Sequence, residues 1–199
     1  GVTDEYAYLV MEYLSKGDMR PLVRQKLSPQ QAIDYTLEIA EALGAIHAAG
    51  ILHRDLKPGN VMLRADGSLA LIDFGLAKHR TLRLEVTDTG LIFGTPHYMS
   101  PEQGHAKPMD ARSDLYSLGV IFYEMLTQKK PYDASNPMAV IYLHAKAPIP
   151  RLPEHLAPLQ PIIDRLLAKN PAQRYPSAAA LIAALQEART QLPRAEIAA

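Results

Sequence analysis

Cysteine is absent from all 199 residues, which excludes disulfide frameworks, thiolate catalysis and cysteine-based metal sites and leaves the fold to rest on packing. An excess of either charge sign is lacking too, because 21 basic residues stand against 21 acidic ones. That balance points to no nucleic acid, no anionic membrane and no strongly charged partner. No apolar run approaches the roughly 18 residues of a spanning helix, and the first residues lack the basic-then-apolar layout of a secretory signal. A soluble, cytoplasmic piece with no membrane segment of its own is expected, with a membrane anchor elsewhere in a longer protein left open. Internal repeats and low-complexity stretches are also missing, apart from a mildly Ala-rich tail at 178–184. What is present is 48% hydrophobic, enough for one domain with a core and too short for two.

Along the chain, residues 6–14 read as a short apolar strand broken by the polar cluster Ser15, Lys16, Gly17 and Asp18. Ser28, Pro29 and Gln31 then supply an N-cap, a proline at the first helical position and a capping-box partner. Ile33, Leu37, Ala40, Leu43 and His47 recur at helical spacing and Gly50 suits a left-handed end, so a helix is predicted over 29–49. Short apolar runs at 61–63 and 69–72 flank Asp66-Gly67, a pair that favours a tight hairpin. From 113 to 126 apolar residues surround nearly the whole helical circumference, the pattern of a helix buried on most sides. Further helices are predicted at about 137–145, 159–168 and 177–191, between seven prolines from Pro148 to Pro176. The expected class is mainly α with small β hairpins.

Chemistry concentrates in two places. His53-Arg54-Asp55-Leu56-Lys57-Pro58-Gly59-Asn60 lies between the first helix and the hairpin, and Asp73-Phe74-Gly75 follows the second hairpin strand. Phosphoryl transfer needs a carboxylate to orient and deprotonate a hydroxyl, a cation near the transferred phosphate, and hard oxygen ligands for Mg2+. Asp55, Lys57, Asn60 and Asp73 form such a set. Asp55 and Asn60 share one loop, and Asp73 returns to the same edge after two strands, so the groups can converge.

These segments resemble the H-R-D-L-x-x-x-N and D-F-G signatures of protein kinases. The resemblance implies a protein-kinase-like C-terminal lobe that uses ATP and Mg2+ and acts on Ser/Thr hydroxyls of protein substrates. On it, Asp55 is the base, Lys57 steadies the transferred phosphoryl, Asn60 and Asp73 bind Mg2+, and His53 and Phe74 are packing residues. The 94–102 segment is similar to the family's substrate-facing loop ending in A-P-E, with Ser100 in place of the alanine and Glu102 as the acid. Between Asp73 and Glu102, Thr87 and Thr89 are candidate phosphosites whose phosphate Arg54 could bind, or else ordinary loop residues. Asp114 resembles the aspartate that holds the catalytic-loop backbone, with a plain helix N-terminal charge as the other role. Arg174 resembles the arginine that pairs with Glu102. Lys57 and Thr95 match Ser/Thr rather than tyrosine kinases, and the wording of the segment is most like bacterial Ser/Thr kinases.

Residues 11–14 resemble the hinge, with Met11 as gatekeeper, the backbone of Glu12 and Leu14 facing adenine, and Asp18 reaching the ribose. Met62 is either adenine floor or plain core. The resemblance divides the chain into the end of an N-lobe strand and hinge (1–14), a kinase C-lobe (15–191) and a tail (192–199). No G-x-G-x-x-G and no V-A-I-K-like segment occurs, so the N-terminal lobe is expected to be missing from this piece, and the piece alone to be inactive. A pseudokinase-like scaffold is the competing class, disfavoured because a scaffold has no need of Asp55, Asn60 and Asp73.

Overall fold

Ser28 starts the first long helix as its sequence dictates: its hydroxyl accepts from Gln31 N–H at 3.2 Å while Gln31 Oε1 accepts from Ser28 N–H at 2.9 Å. This reciprocal capping satisfies two donors that a helix start leaves orphaned. In the computed structural model, which describes residues 12–73 and 96–192, this helix is α2 (Pro29–Ala48), preceded by a single turn, α1 (Arg20–Val23). Gly50 follows its end at φ +73°, a backbone conformation that glycine adopts without strain.

A three-residue turn (Pro58–Asn60) leads into β1 (Val61–Leu63), which pairs antiparallel with β2 (Leu69–Leu71) in the register Val61↔Leu71, Met62↔Ala70, Leu63↔Leu69. Gly67, at φ +90°, donates its N–H to Arg64 C=O at 3.0 Å and closes the turn between them. The Gly17–Met19 backbone lies along the other side of β1: Leu63 N–H reaches Gly17 C=O at 2.9 Å and Met19 N–H reaches Val61 C=O at 2.8 Å.

The remaining helices are α3 (Pro101–Gly104), α4 (Ala111–Thr127), α5 (Pro137–Lys146), α6 (Gln160–Leu166) and α7 (Ala178–Gln191). Every residue of α4 from Ser113 to Met125 is buried, as its all-round apolar pattern requires, and α2 and α6 cover it. Backbones approach closely where glycine allows: a Cβ on Gly119 would lie 2.6 Å from Leu166 Cβ, and one on Gly104 would lie 2.7 Å from Ile141 Cγ2. On its other side α2 packs against α7. Among the described residues the result is a helical body with one small hairpin at its edge, the mainly-α class that the sequence predicts.

One expectation needs correction. Of the strand expected over 6–14, residues 12–14 form no strand, and the rest lies outside the described residues. The helix expected over 159–168 is α6, and the Glu154–Leu159 segment before it, with Pro158 inside, is wound as a tighter 3-10 helix.

Candidate active site

Asp55 and Asn60 are bound to one another before any ligand is considered. Asn60 Nδ2 donates to Asp55 C=O at 2.7 Å and to Asp55 Oδ2 at 3.1 Å, and Lys57 Nζ donates to the same Oδ2 at 2.7 Å. The Pro58–Asn60 turn makes this possible by folding five residues back on themselves, with Asn60 N–H on Lys57 C=O at 2.9 Å. Asp73 is brought in by the hairpin: Ile72 N–H donates to Asn60 C=O at 3.0 Å, so the next residue emerges beside the end of the 53–60 loop. Asp73 itself is exposed and sits at φ +60°.

Beneath this edge His53 is fully buried. Burial disfavours its protonated form, and the net shift is downward even though the carboxylates of Asp114, Asp55 and Asp73 all pull the other way. The neutral imidazole is therefore the favoured form of His53.

The loop is clamped from α4. Asp114 accepts His53 N–H and Arg54 N–H at 2.9 Å each, and its Oδ2 also meets His47 Nε2 at 2.7 Å. Arg54 is held at φ +68°, a conformation that an L-residue adopts only when its surroundings enforce it. Its guanidinium has no partner among the described residues.

The 96–104 segment is tied to the body by Glu102 and Arg174, both buried. Arg174 donates from Nη1 to Glu102 Oε1 at 2.6 Å and from Nη2 to Oε2 at 2.8 Å, and Ser113 Oγ donates to Oε1 at 2.6 Å. Arg174 also donates to Ala168, Arg112 and Lys169 carbonyls. Burial pushes the Glu102 carboxyl up, and the Arg174 and Ser113 hydrogen bonds more than offset it, so the net shift is downward. Stranding one partner of such a pair costs about 3–5 kcal/mol.

At the opposite rim, Asp18 bridges to Met62 across β1, but both its carboxylate oxygens are taken by Arg20: Nε at 2.9 and 3.0 Å, Nη2 at 2.6 Å and the backbone N–H at 2.8 Å. These bonds hold the Asp18 carboxyl below its ordinary range. Met62 is half-buried, Leu14 is half-buried and Glu12 is exposed, its carboxylate on Arg64 Nε at 3.2 Å. Met11, Phe74, Thr87, Thr89 and Thr95 lie outside the described residues.

Several contacts escaped the sequence reading. Gln103 Nε2 donates to Arg54 C=O at 2.6 Å, Ser117 Oγ donates to Tyr98 C=O at 2.7 Å, and Tyr98 OH donates to Glu124 Oε2 at 2.6 Å. Gln103 was detectable, since Ser100-Pro101-Glu102-Gln103 repeats the capping pattern of Ser28-Pro29-Gln30-Gln31.

The oxygen donors suit Mg2+. With Nδ2 of Asn60 committed to Asp55, its Oδ1 is the free acceptor, and the Asp73 carboxylate has no partner among the described residues. One amide and one carboxylate oxygen leave room for water and phosphate, which is how Mg2+ is usually held. No group of three or more His, Asp or Glu able to hold a metal occurs among the described residues, so a cage made of protein alone is not formed there.

Over residues 2–185 the sequence matches the protein kinase domain family. The chain belongs to the protein kinase family. This kinase chain is 40% identical over 184 residues to serine/threonine-protein kinase PknB of Mycobacterium leprae, a match covering 89% of this chain and 30% of that protein. It is 40% identical over 178 residues to a probable serine/threonine-protein kinase of Streptomyces coelicolor, covering 86% of this chain and 26% of the relative. PknB of Mycobacterium tuberculosis matches at 39% over 185 residues, again 89% of this chain and 30% of the relative. The kinase chain thus spans less than a third of the length of these curated relatives.

Proposed function

We propose that this chain supplies the phosphoryl-transfer end of a Ser/Thr protein kinase site that uses ATP and Mg2+. The observation that carries the reading is the Asp55–Lys57–Asn60 cluster, with Asp73 delivered beside it by the Ile72–Asn60 backbone hydrogen bond. The Asp55 carboxylate is half-exposed, at 57%, so it can meet a substrate hydroxyl. It accepts the hydroxyl proton as the oxygen attacks the γ-phosphorus and the bond to the β–γ bridging oxygen breaks. Lys57 is only loosely held, since an exposed ion pair contributes about 0–1 kcal/mol, and its Nζ is free to turn from Asp55 to the transferred phosphoryl. Asn60 Oδ1 and the Asp73 carboxylate would hold Mg2+, which supplies charge neutralisation at the phosphates when bound.

The adenosine half is placed against Glu12, Leu14 and Met62. Asp18 serves the ribose only where the sugar hydroxyls replace Arg20. Arg54, with its guanidinium unpartnered among the described residues, is the receiver for a phosphate on Thr87 or Thr89, and Thr95 is counted with them as a regulatory residue. Preference for Ser/Thr rests on Lys57 and on the similarity to serine/threonine-protein kinases.

The test is phosphotransfer from ATP to casein by the intact protein and its Asp55→Asn variant. Removing the base is expected to lower kcat by about 10²–10⁴-fold with an unchanged melting temperature. A variant that keeps more than a tenth of the wild-type rate overturns the assignment, and the 199-residue chain by itself, without a Gly-rich loop and strand lysine, is expected to transfer no phosphate.

A further inference from the structure

Arg54 carries the only side chain between buried His53 and the base, and its backbone is gripped from both sides. Its N–H is held by Asp114 Oδ1 at 2.9 Å and its C=O by Gln103 Nε2 at 2.6 Å. The left-handed conformation at φ +68° has a cost that the surroundings must offset, and these two bonds do so at the two ends of the residue. The Arg54 carbonyl belongs to the same peptide plane as the Asp55 N–H. Turning that plane turns the Asp55 backbone with it.

Gln103 is held in turn. Its Oε1 accepts from Ser100 N–H at 3.0 Å and its own N–H donates to Ser100 Oγ at 3.3 Å, which closes the capping box of α3. The neighbouring residue, Glu102, is locked to Arg174. A continuous chain of contacts therefore runs from Arg174 through Glu102 and Gln103 to the peptide of Asp55. A capping box accepts Glu as readily as Gln at this position. Only the amide can donate to a carbonyl. In α2 the same Ser-Pro-x-Gln box is present, yet Gln31 Nε2 makes no bond to any described group.

We propose that Gln103 is a positioning residue for the transfer reaction, holding Asp55 in register through the Arg54 carbonyl in addition to capping α3. This rests on the reading of Asp55 as the base. Gln103→Glu separates the two roles, because the cap keeps its acceptor while the bond to Arg54 C=O becomes a contact between two acceptors. Gln31→Glu makes the identical change where no such bond exists.

Casein phosphorylation by the intact protein, its Gln103→Glu, Gln31→Glu and Asp55→Asn variants is compared at several pH values. For Gln103→Glu, kcat is expected to fall roughly tenfold or more, the order of effect that follows a small misplacement of a reacting group. KM for ATP should stay within about threefold, and Gln31→Glu should keep the wild-type kcat. The ratio of Gln103→Glu to wild-type kcat should climb as pH falls, because a protonated Glu regains a donor for Arg54 C=O. A folding defect has no reason to recover in acid, so this ratio reads the bond even if the variant melts earlier. A Gln103→Glu kcat within twofold of Gln31→Glu, or a deficit that does not change with pH, overturns the proposal. If Asp55→Asn is inactive while Gln103→Glu is unimpaired, only this inference falls; if Asp55→Asn is fully active, the site assignment falls with it.

Discussion

Arg54 and Asp73 both sit at positive φ, +68° and +60°, though neither is glycine. Each ends a run of regular contacts and aims a functional group away from the body: Arg54 precedes Asp55, and Asp73 leaves the hairpin. Strain of this kind persists only where neighbouring bonds over-determine it, and for Arg54 those neighbours are Asp114 and Gln103. Asp114 carries the larger share because it serves three donors at once. Asp114→Ala leaves the buried His53 N–H without a partner, and an orphaned group costs about 1–3 kcal/mol. Chemical denaturation should show a loss of that size, and activity should fall by more than the unfolded fraction explains. A variant with unchanged stability would show that the clamp is dispensable. None of this was legible as contact from spacing, since Asp114 lies some 60 residues beyond the loop it holds; only the family resemblance pointed to it.

At the scale of elements, what could be read in advance was whatever is local. The Ser28 cap, the Gly50 terminator, the Asp66-Gly67 turn and the apolar circumference of α4 are written within a few residues of where they act, and the corresponding elements formed with ends shifted by at most a few positions. The Asp55, Lys57 and Asn60 cluster was legible for the same reason. The bond from Gln103 to Arg54 was not, because it joins a four-residue helix to a distant loop and leaves no periodic trace. Of the strand expected over 6–14, residues 12–14 form none, because apolar content marks burial without specifying which backbone pairs with which. Helix contact distances also stayed invisible until Gly119 and Gly104 were seen as contact points. Gly119→Ala would set a methyl 2.6 Å from Leu166 Cβ, so α4 and α6 must separate. Its expected cost is about 1–3 kcal/mol, measured as a lower denaturation midpoint with an unchanged m-value. A stabilised variant, the usual outcome of replacing glycine in an open helix, would mean the two helices are free to shift.

For the molecule as a whole, acid is the condition that the buried polar groups resist least. Burial pushes His144 down to about 3, aided by Lys169, and lowers His53 as well. A group with a depressed folded-state pKa takes up its proton first in the unfolded chain, so stability falls as pH drops below the ordinary histidine value of 6.5. Glu102 adds a later stage: its lowered carboxyl stabilises above the ordinary value of 4.5, and that contribution is lost as pH falls through its folded value. His144→Gln, which can keep a bond to Tyr116 OH in place of the 2.9 Å contact of His144 Nδ1, should flatten the first stage. The expected difference is about 1–2 kcal/mol between about pH 6.5 and 5, read by urea denaturation across that range. Parallel curves for the two proteins would assign the acid sensitivity elsewhere.

The pairing of α2 with α7 also bears on how the protein is made. Residues 29–48 leave the ribosome well before the helix that covers one side of them, 178–191, which arrives only after residues 49–177 have been synthesised. Until then an apolar flank of the nascent chain has no permanent cover, and it is there that a holding chaperone would be expected to bind.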